Sequence, residues 1–152
     1  STKNAVVAID LVKHAFMARP WDNRAELPLP HIDGAGKVIY APRGQDDGAT
    51  RIAMLQVGAL APKNVVGGAT QMDSVAWSAD GSLLYVLSNG ALYRIADGLP
   101  VAAHVDVPGS PDLLDVAAGG ARLVLAEKHA PLFYVVDVLA GDKVESLHLV
   151  AN

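Results

Sequence analysis

The chain has 152 residues, 51% of them hydrophobic and 18% charged, with a formal net charge of -4 and no cysteine. That balance describes a globular chain rather than a disordered one. It leaves no disulfide, thiolate metal site or cysteine nucleophile. No basic block offers a footprint for nucleic acid, and no apolar run approaches the roughly 18–20 residues of a membrane span. The sequence begins with Ser1 rather than Met, so a processed or trimmed chain, or part of a longer one, is expected.

The first element is Asn4 to Asp10, an apolar run that fits a β-strand, and Lys13 to Arg19 is its expected partner. A polar connection follows, Arg19-Pro20-Trp21-Asp22-Asn23-Arg24. His31-Ile32 then enters the turn Asp33-Gly34-Ala35-Gly36. Lys37 to Ala41, Thr50 to Leu55 and Pro62 to Val66 are the next strands, with a longer turn over Arg43 to Gly48. The clearest stretch comes next. Val75-Ala76-Trp77 and Ser82 to Leu87 are strands joined by Ser78-Ala79-Asp80-Gly81, where Asp caps the turn and Gly accepts positive φ. Asn89-Gly90 is a strong hairpin signal. Ala91 to Ala96 is a third strand, and Val101 to Val107 a fourth after Asp97-Gly98-Leu99-Pro100. Leu114-Asp115-Val116, Arg122 to Ala126, Leu132 to Asp137 and Lys143 to Val150 repeat the same four-strand plan.

Two registers measure the repeat. The turn glycines Gly36, Gly81 and Gly120 fall at spacings of 45 and 39. The third strands end at Asp10, Met54, Asp97 and Asp137, spaced by 44, 43 and 40. A period of roughly 40 residues, made of four antiparallel strands, is that of a β-propeller blade. The segment from Met72 to Tyr85, with its Ser78-Ala79-Asp80-Gly81 turn, resembles blades of the YVTN and PD40 type and of the propeller subunits of quinoprotein amine dehydrogenases. Only this copy keeps the full turn, and the WD dipeptide of the WD40 family is absent. The expected fold is all-β, a propeller arc of about three and a half blades. Residues 1–19 form a half blade, and 30–69, 73–107 and 112–150 form the full ones.

Closed propellers have at least four blades. An open arc leaves two apolar faces bare, each worth several buried Val, Leu or Ile at roughly 1.5–3 kcal/mol apiece. Against a typical net stability of about 5–15 kcal/mol, such an arc calls for completion by another chain, as a homodimer or heteromer, or by missing residues of its own.

Residues with chemistry are few. His31 falls near the innermost strand, which would line the channel. His104 and Asp106 are two apart on one strand face and could form one arm of a metal site, although outer strands commonly carry such polar residues. Trp21 and Arg24 are an aromatic and a cation in a connection, a combination found at interface anchors; loop packing is the plainer role. Gln45-Asp46-Asp47-Gly48 lacks the ligand spacing of a calcium loop. The recurrent Asp at third-strand ends fits a turn acceptor, and Trp77, Tyr85 and Tyr40 fit packing between blades. No nucleophile elbow or phosphate loop occurs. No cofactor or metal is therefore expected, and no catalytic residue in this chain by itself.

The function expected is a binding or scaffolding module that docks a partner protein or small ligand through its loops. The resemblance to amine dehydrogenases implies an alternative, a periplasmic propeller subunit that docks a quinone-bearing subunit, and with it a periplasmic or secreted location. A propeller lactonase or hydrolase, which would need metal-binding acids in the channel, is the third reading.

Overall fold

A computed structural model describes residues 4–10, 14–21, 31–32, 36–44, 50–58, 61–96, 98–117 and 119–148. These residues form fourteen β-strands and no helix. The leading pair is β1 (Asn4–Asp10) and β2 (Ala15–Trp21). The first four-stranded sheet holds β3 (His31–Ile32), β4 (Val38–Gly44), β5 (Thr50–Gln56) and β6 (Pro62–Asn64). The middle sheet holds β7 (Ser74–Trp77), β8 (Leu83–Ser88), β9 (Ala91–Ala96) and β10 (Ala102–Val105). The last holds β11 (Leu113–Val116), β12 (Arg122–Ala126), β13 (Leu132–Asp137) and β14 (Lys143–His148). Each four-stranded sheet is an antiparallel meander in chain order.

The sheets stack face on face, and the first strands of the middle and last sheets, β7 and β11, lie side by side. Ser74 Oγ, on β7, donates to the Leu114 carbonyl, on β11, at 3.2 Å. Strand alternation sends one set of side chains forward to the next sheet and the other back to the preceding one. Tyr40, Ile52 and Met54 of the first sheet thus meet Leu84, Val86 and Ile95 of the middle sheet in one apolar layer. Tyr85, Leu87 and Leu92 meet Leu114, Leu123, Leu125 and Val136 in the next. Ala41, Ala53 and Leu55 form a smaller buried cluster on the opposite face of the first sheet.

The Ser-x-Asp-Gly turn works as its chemistry dictates. Asp80 Oδ1 accepts from Ser78 Oγ at 2.7 Å and from the Ser82 amide at 3.0 Å, and Ser82 Oγ adds a bond of 2.9 Å to Oδ2. These bonds hold the Asp80 carboxyl down at about 2. The Leu83 amide donates to Ser78 Oγ, which locks the first residue of β8. Gly120, the equivalent of Gly81, has φ +66, and a Cβ there would sit 2.6 Å from Ala79 of the neighbouring turn. Position 120 therefore requires glycine twice over, for its backbone and for the contact between turns.

Strand ends shift in several places. β4 runs on to Gly44, into the expected turn over Arg43 to Gly48, because Arg43 pairs with Arg51 and Gly44 with Thr50. β6 stops at Asn64 rather than Val66. β2 runs from Ala15 to Trp21 because Asn4 pairs with Trp21, so the backbone of Trp21 ends a strand rather than lying in a connection. The fourth strand of the middle sheet contracts to Ala102–Val105. β14 is described to His148, and the expected extension to Val150 lies outside the described residues. So do Arg24, Asp33, Asp97 and the segment Gln45 to Gly48.

Candidate functional site

The forward faces of the first and middle sheets are covered by their neighbours, and the forward face of the last sheet is not covered by any described residue. On it, Leu113 is 57% exposed and Leu147 54%. Between them in the same row lie Ala126 and Phe133, both half-buried. The next row holds Asp115, Val124, Val135 and Glu145, and the row nearest the turns holds Arg122, Asp137 and Lys143. Arg122 Nε lies 3.7 Å from Asp137 Oδ2, and Lys143 Nζ 3.5 Å from Glu145 Oε1. An apolar centre with a charged border is the anatomy of a protein interface.

The two covered interfaces show what a neighbour supplies. The Tyr85 hydroxyl donates to Asp142 Oδ1 of the last sheet at 2.6 Å, and Arg94 Nη1 donates to Oδ2 at 2.7 Å. Burial first, then the Asp142 carboxylate, push the Tyr85 phenol up. One sheet earlier, the Tyr40 hydroxyl reaches the Ala96 and Leu99 carbonyls at 3.4 and 3.5 Å, at the corresponding turn. Tyr40 also packs against Trp77, ring centroids 6.0 Å apart. These aromatics therefore pack between sheets, as expected. At the equivalent places on the bare face stand Val124 and Val135, so no hydroxyl or guanidinium projects there.

A second repeated device fastens each sheet-to-sheet link. Asp73 Oδ2 accepts from the Asn89 amide at 2.7 Å, and Asp112 Oδ2 from the Lys128 amide at 3.0 Å, the same two positions one blade later. Ser88 Oγ takes the Thr70 and Gln71 amides at 3.2 Å, and Glu127 Oε1 takes the Ser110 amide at 3.2 Å. Glu127 also accepts from the Tyr134 hydroxyl at 2.6 Å, which raises that phenol to about 12. The recurrence of Asp73 as Asp112, one repeat on, is the sequence signal for this device. Read by itself, Asp112 is only an acid in a loop. Asp142 carries no sequence signal, since its partners Tyr85 and Arg94 belong to another sheet.

The other sequence-selected residues stay apart. His31 starts β3, opposite Tyr40, and is half-buried; that burial lowers its pKa. His104 is on β10, but Asp106 lies just past the end of that strand rather than on it. His104 Nδ1 is 3.1 Å from Asp106 Oδ1, in solvent, with Tyr93 edge-on to the imidazole. Among the described residues no three His, Asp or Glu side chains gather in a way that could hold a metal ion. A shallow cleft of about 340 Å³ lies between the middle and last sheets, lined by Ser78, Asp80, Gly120, Val138 and Leu139. Leu139 at its rim is 84% exposed. No described helix is long and apolar enough to cross a membrane.

Four-stranded antiparallel meanders stacked face on face, one after another in chain order, are the blades of a β-propeller. Solved structures bear this out. The chain is similar to TolB from Acinetobacter baumannii, at 16% identity and TM-score 0.59, over 99% of this chain and 39% of that one. It is similar to the β-propeller domain of the trilobed protease from Pyrococcus furiosus, described as having an open velcro topology, at 15% identity and TM-score 0.63, over 95% and 49%. The hydrazine synthase of Kuenenia stuttgartiensis matches at 16% and 0.62, over 97% and 44%. The chain thus spans less than half the length of each of these three. No family model and no curated protein matches it.

Proposed function

We propose that this chain is an arc of a composite β-propeller, a binding and scaffolding module whose last blade takes the rear face of a blade from a second polypeptide. The observation that carries this reading is the bare forward face centred on Leu113, Phe133 and Leu147. The two equivalent faces in the chain are each closed by an apolar layer. The five charged residues around its centre, two of them cations, give the contact a border that salt weakens. The partial coverage of the propeller neighbours agrees with an arc.

The titratable residues of the described innermost strands β3, β7 and β11 are His31 and Asp115, and the middle blade separates them. No specific observation favours the hydrolase or dehydrogenase-subunit readings over the scaffold.

Light scattering and native mass spectrometry test the proposal. The wild-type chain is expected to run heavier than a monomer, and Leu113→Arg with Leu147→Arg to return it to one while the circular dichroism stays unchanged. Both leucines are half exposed, so the exchange leaves the core intact. A folded, monodisperse wild-type monomer at micromolar concentration would sink the reading.

A further inference from the structure

Two equivalent turns meet across the seam between the middle and last blades, and their side chains differ. The Ser78 amide donates to the Leu83 carbonyl as the Ala117 amide donates to that of Arg122, and the Gly81 amide bonds Ser78 as that of Gly120 bonds Ala117. Gly119 therefore stands where the middle blade has Asp80, and Ala121 where it has Ser82. With no carboxyl or hydroxyl at those two places, the last turn leaves room, and the cleft of about 340 Å³ opens there. Leu83, Ala121, Val138 and Leu139 give it apolar walls, and Asp80 is the one charged side chain among its described lining residues.

The far wall is fixed in advance. The Val138 amide bonds the Ala121 carbonyl at 3.0 Å, the Ala140 amide bonds Asp137 Oδ1 at 3.0 Å, and the Asp142 amide bonds the Asp137 carbonyl at 3.0 Å. A preformed surface loses little conformational freedom on binding. The exposure of Leu139 belongs to its turn. The third-strand register sets it against Leu99 of the middle blade, which is still 53% exposed with a blade on either side.

The charge in the cleft is unbalanced. Asp80 Oδ1 accepts three bonds from its own turn, but Oδ2 accepts one, from Ser82 Oγ at 2.9 Å. A carboxylate offers about four acceptor positions, two on each oxygen, so Oδ2 keeps one for a further donor, and Asp80 is exposed. Two nearby cations are already engaged, Arg94 with Asp142 at 2.7 Å and Arg122 with Asp137 at 3.7 Å.

We propose that this cleft docks a short segment of a partner protein in which a leucine-sized aliphatic side chain stands next to a lysine or arginine. The aliphatic group enters between Leu83, Val138 and Leu139, and the cation meets Asp80. A shallow trough encloses too little of a small molecule to hold it, whereas a segment of chain also covers the rim at Leu139. The site is separate from the forward face of the last blade and does not rest on what covers that face.

The probe is the peptide acetyl-Gly-Leu-Lys-Gly-amide, titrated into the full chain and followed by amide NMR shifts. Two control peptides replace its lysine by glutamine or its leucine by alanine. Shifts are expected at residues 79–83, 119–121 and 138–140. The glutamine peptide should bind about two- to fivefold more weakly, as an exposed charge pair allows, and the alanine peptide about tenfold more weakly. Asp80→Asn keeps an oxygen for the turn and should erase the difference between the lysine and glutamine peptides, with the Ser82 amide reporting that the turn is intact. Leu139→Ser should weaken both of those peptides alike. Equal binding of the lysine and glutamine peptides to the wild-type chain, shifts centred elsewhere, or no shift up to the solubility limit would overturn the proposal. A monomeric wild-type chain that still gives these shifts would uphold the cleft and remove the composite-arc reading alone.

Discussion

The two interfaces between neighbouring blades use the same tyrosine and finish it differently. Tyr40 ends on two backbone carbonyls at 3.4 and 3.5 Å. Tyr85 ends on a carboxylate at 2.6 Å that also holds Arg94. Asp142 is only 9% exposed while Arg94 is 44% exposed, so the acid sits in the seam and the cation at its mouth. Both interfaces share the aliphatic layer, and that layer supplies the bulk of the adhesion. The polar finish sets how the seam responds to charge and pH. A bond to an ionised acceptor is stronger than one to a neutral carbonyl, and losing it leaves a buried group unpaired.

The largest expected effect falls on the shared layer. Leu92→Ala, in the second seam, should cost about 2–5 kcal/mol in urea unfolding, as should Ile95→Ala in the first. A difference between them larger than that spread would show that the layers are not equivalent. Next is Asp142→Ala, which strands the Tyr85 hydroxyl and releases Arg94, at about 2–3 kcal/mol. Tyr85→Phe should cost about 1.5 kcal/mol and Tyr40→Phe about 0.5–1. Equal losses would break the distinction between the seams. A double-mutant cycle of Tyr85→Phe with Arg94→Ala should show coupling through Asp142.

The smallest effects are those of pH. The Asp80 carboxyl lies at about 2, below its usual 3.8. Its contribution is whole above pH 3.8 and disappears as pH falls toward 2, so Asp80→Asn should flatten the acid limb of a stability curve. The Tyr134 phenol lies at about 12, above its usual 10.0. Its contribution is whole below pH 10 and is lost as pH rises through 12, and Tyr134→Phe should flatten the alkaline limb. Tyr85 shifts in the same direction, so Tyr134→Phe removes part of that limb only.

Local chemistry makes most of the strands legible from the sequence alone. Ser78-Ala79-Asp80-Gly81 and Asn89-Gly90 bound β8 on both sides, and the observed strand, Leu83–Ser88, differs from the sequence expectation by one residue at each end. Asp137 also behaves as its position suggests, accepting the Ala140 amide at 3.0 Å. The Ala117–Ala121 turn keeps its backbone pattern without the serines and acid. Its Gly120 amide bonds the Ala117 carbonyl at 2.9 Å, as Gly81 bonds Ser78. Such a turn is visible only by aligning the repeat. The course of β2 to Trp21 is not legible, because Arg19-Pro20 reads as a break and only pairing with Asn4 carries the strand past it. The Asp142 clamp is not legible either, since nothing local marks an acid whose partners lie in another blade. The bare face follows from the arc, but its charged border does not, since alternation alone does not say which face stays dry.

The ties from Asp73 to Asn89 and from Asp112 to Lys128 each join a link to the blade that it introduces, across only sixteen residues. Every such blade consequently carries its own hinge-pin. Gene duplication or deletion in units of one repeat keeps both ends of the pin together, so the number of blades can change without any blade losing its fastening.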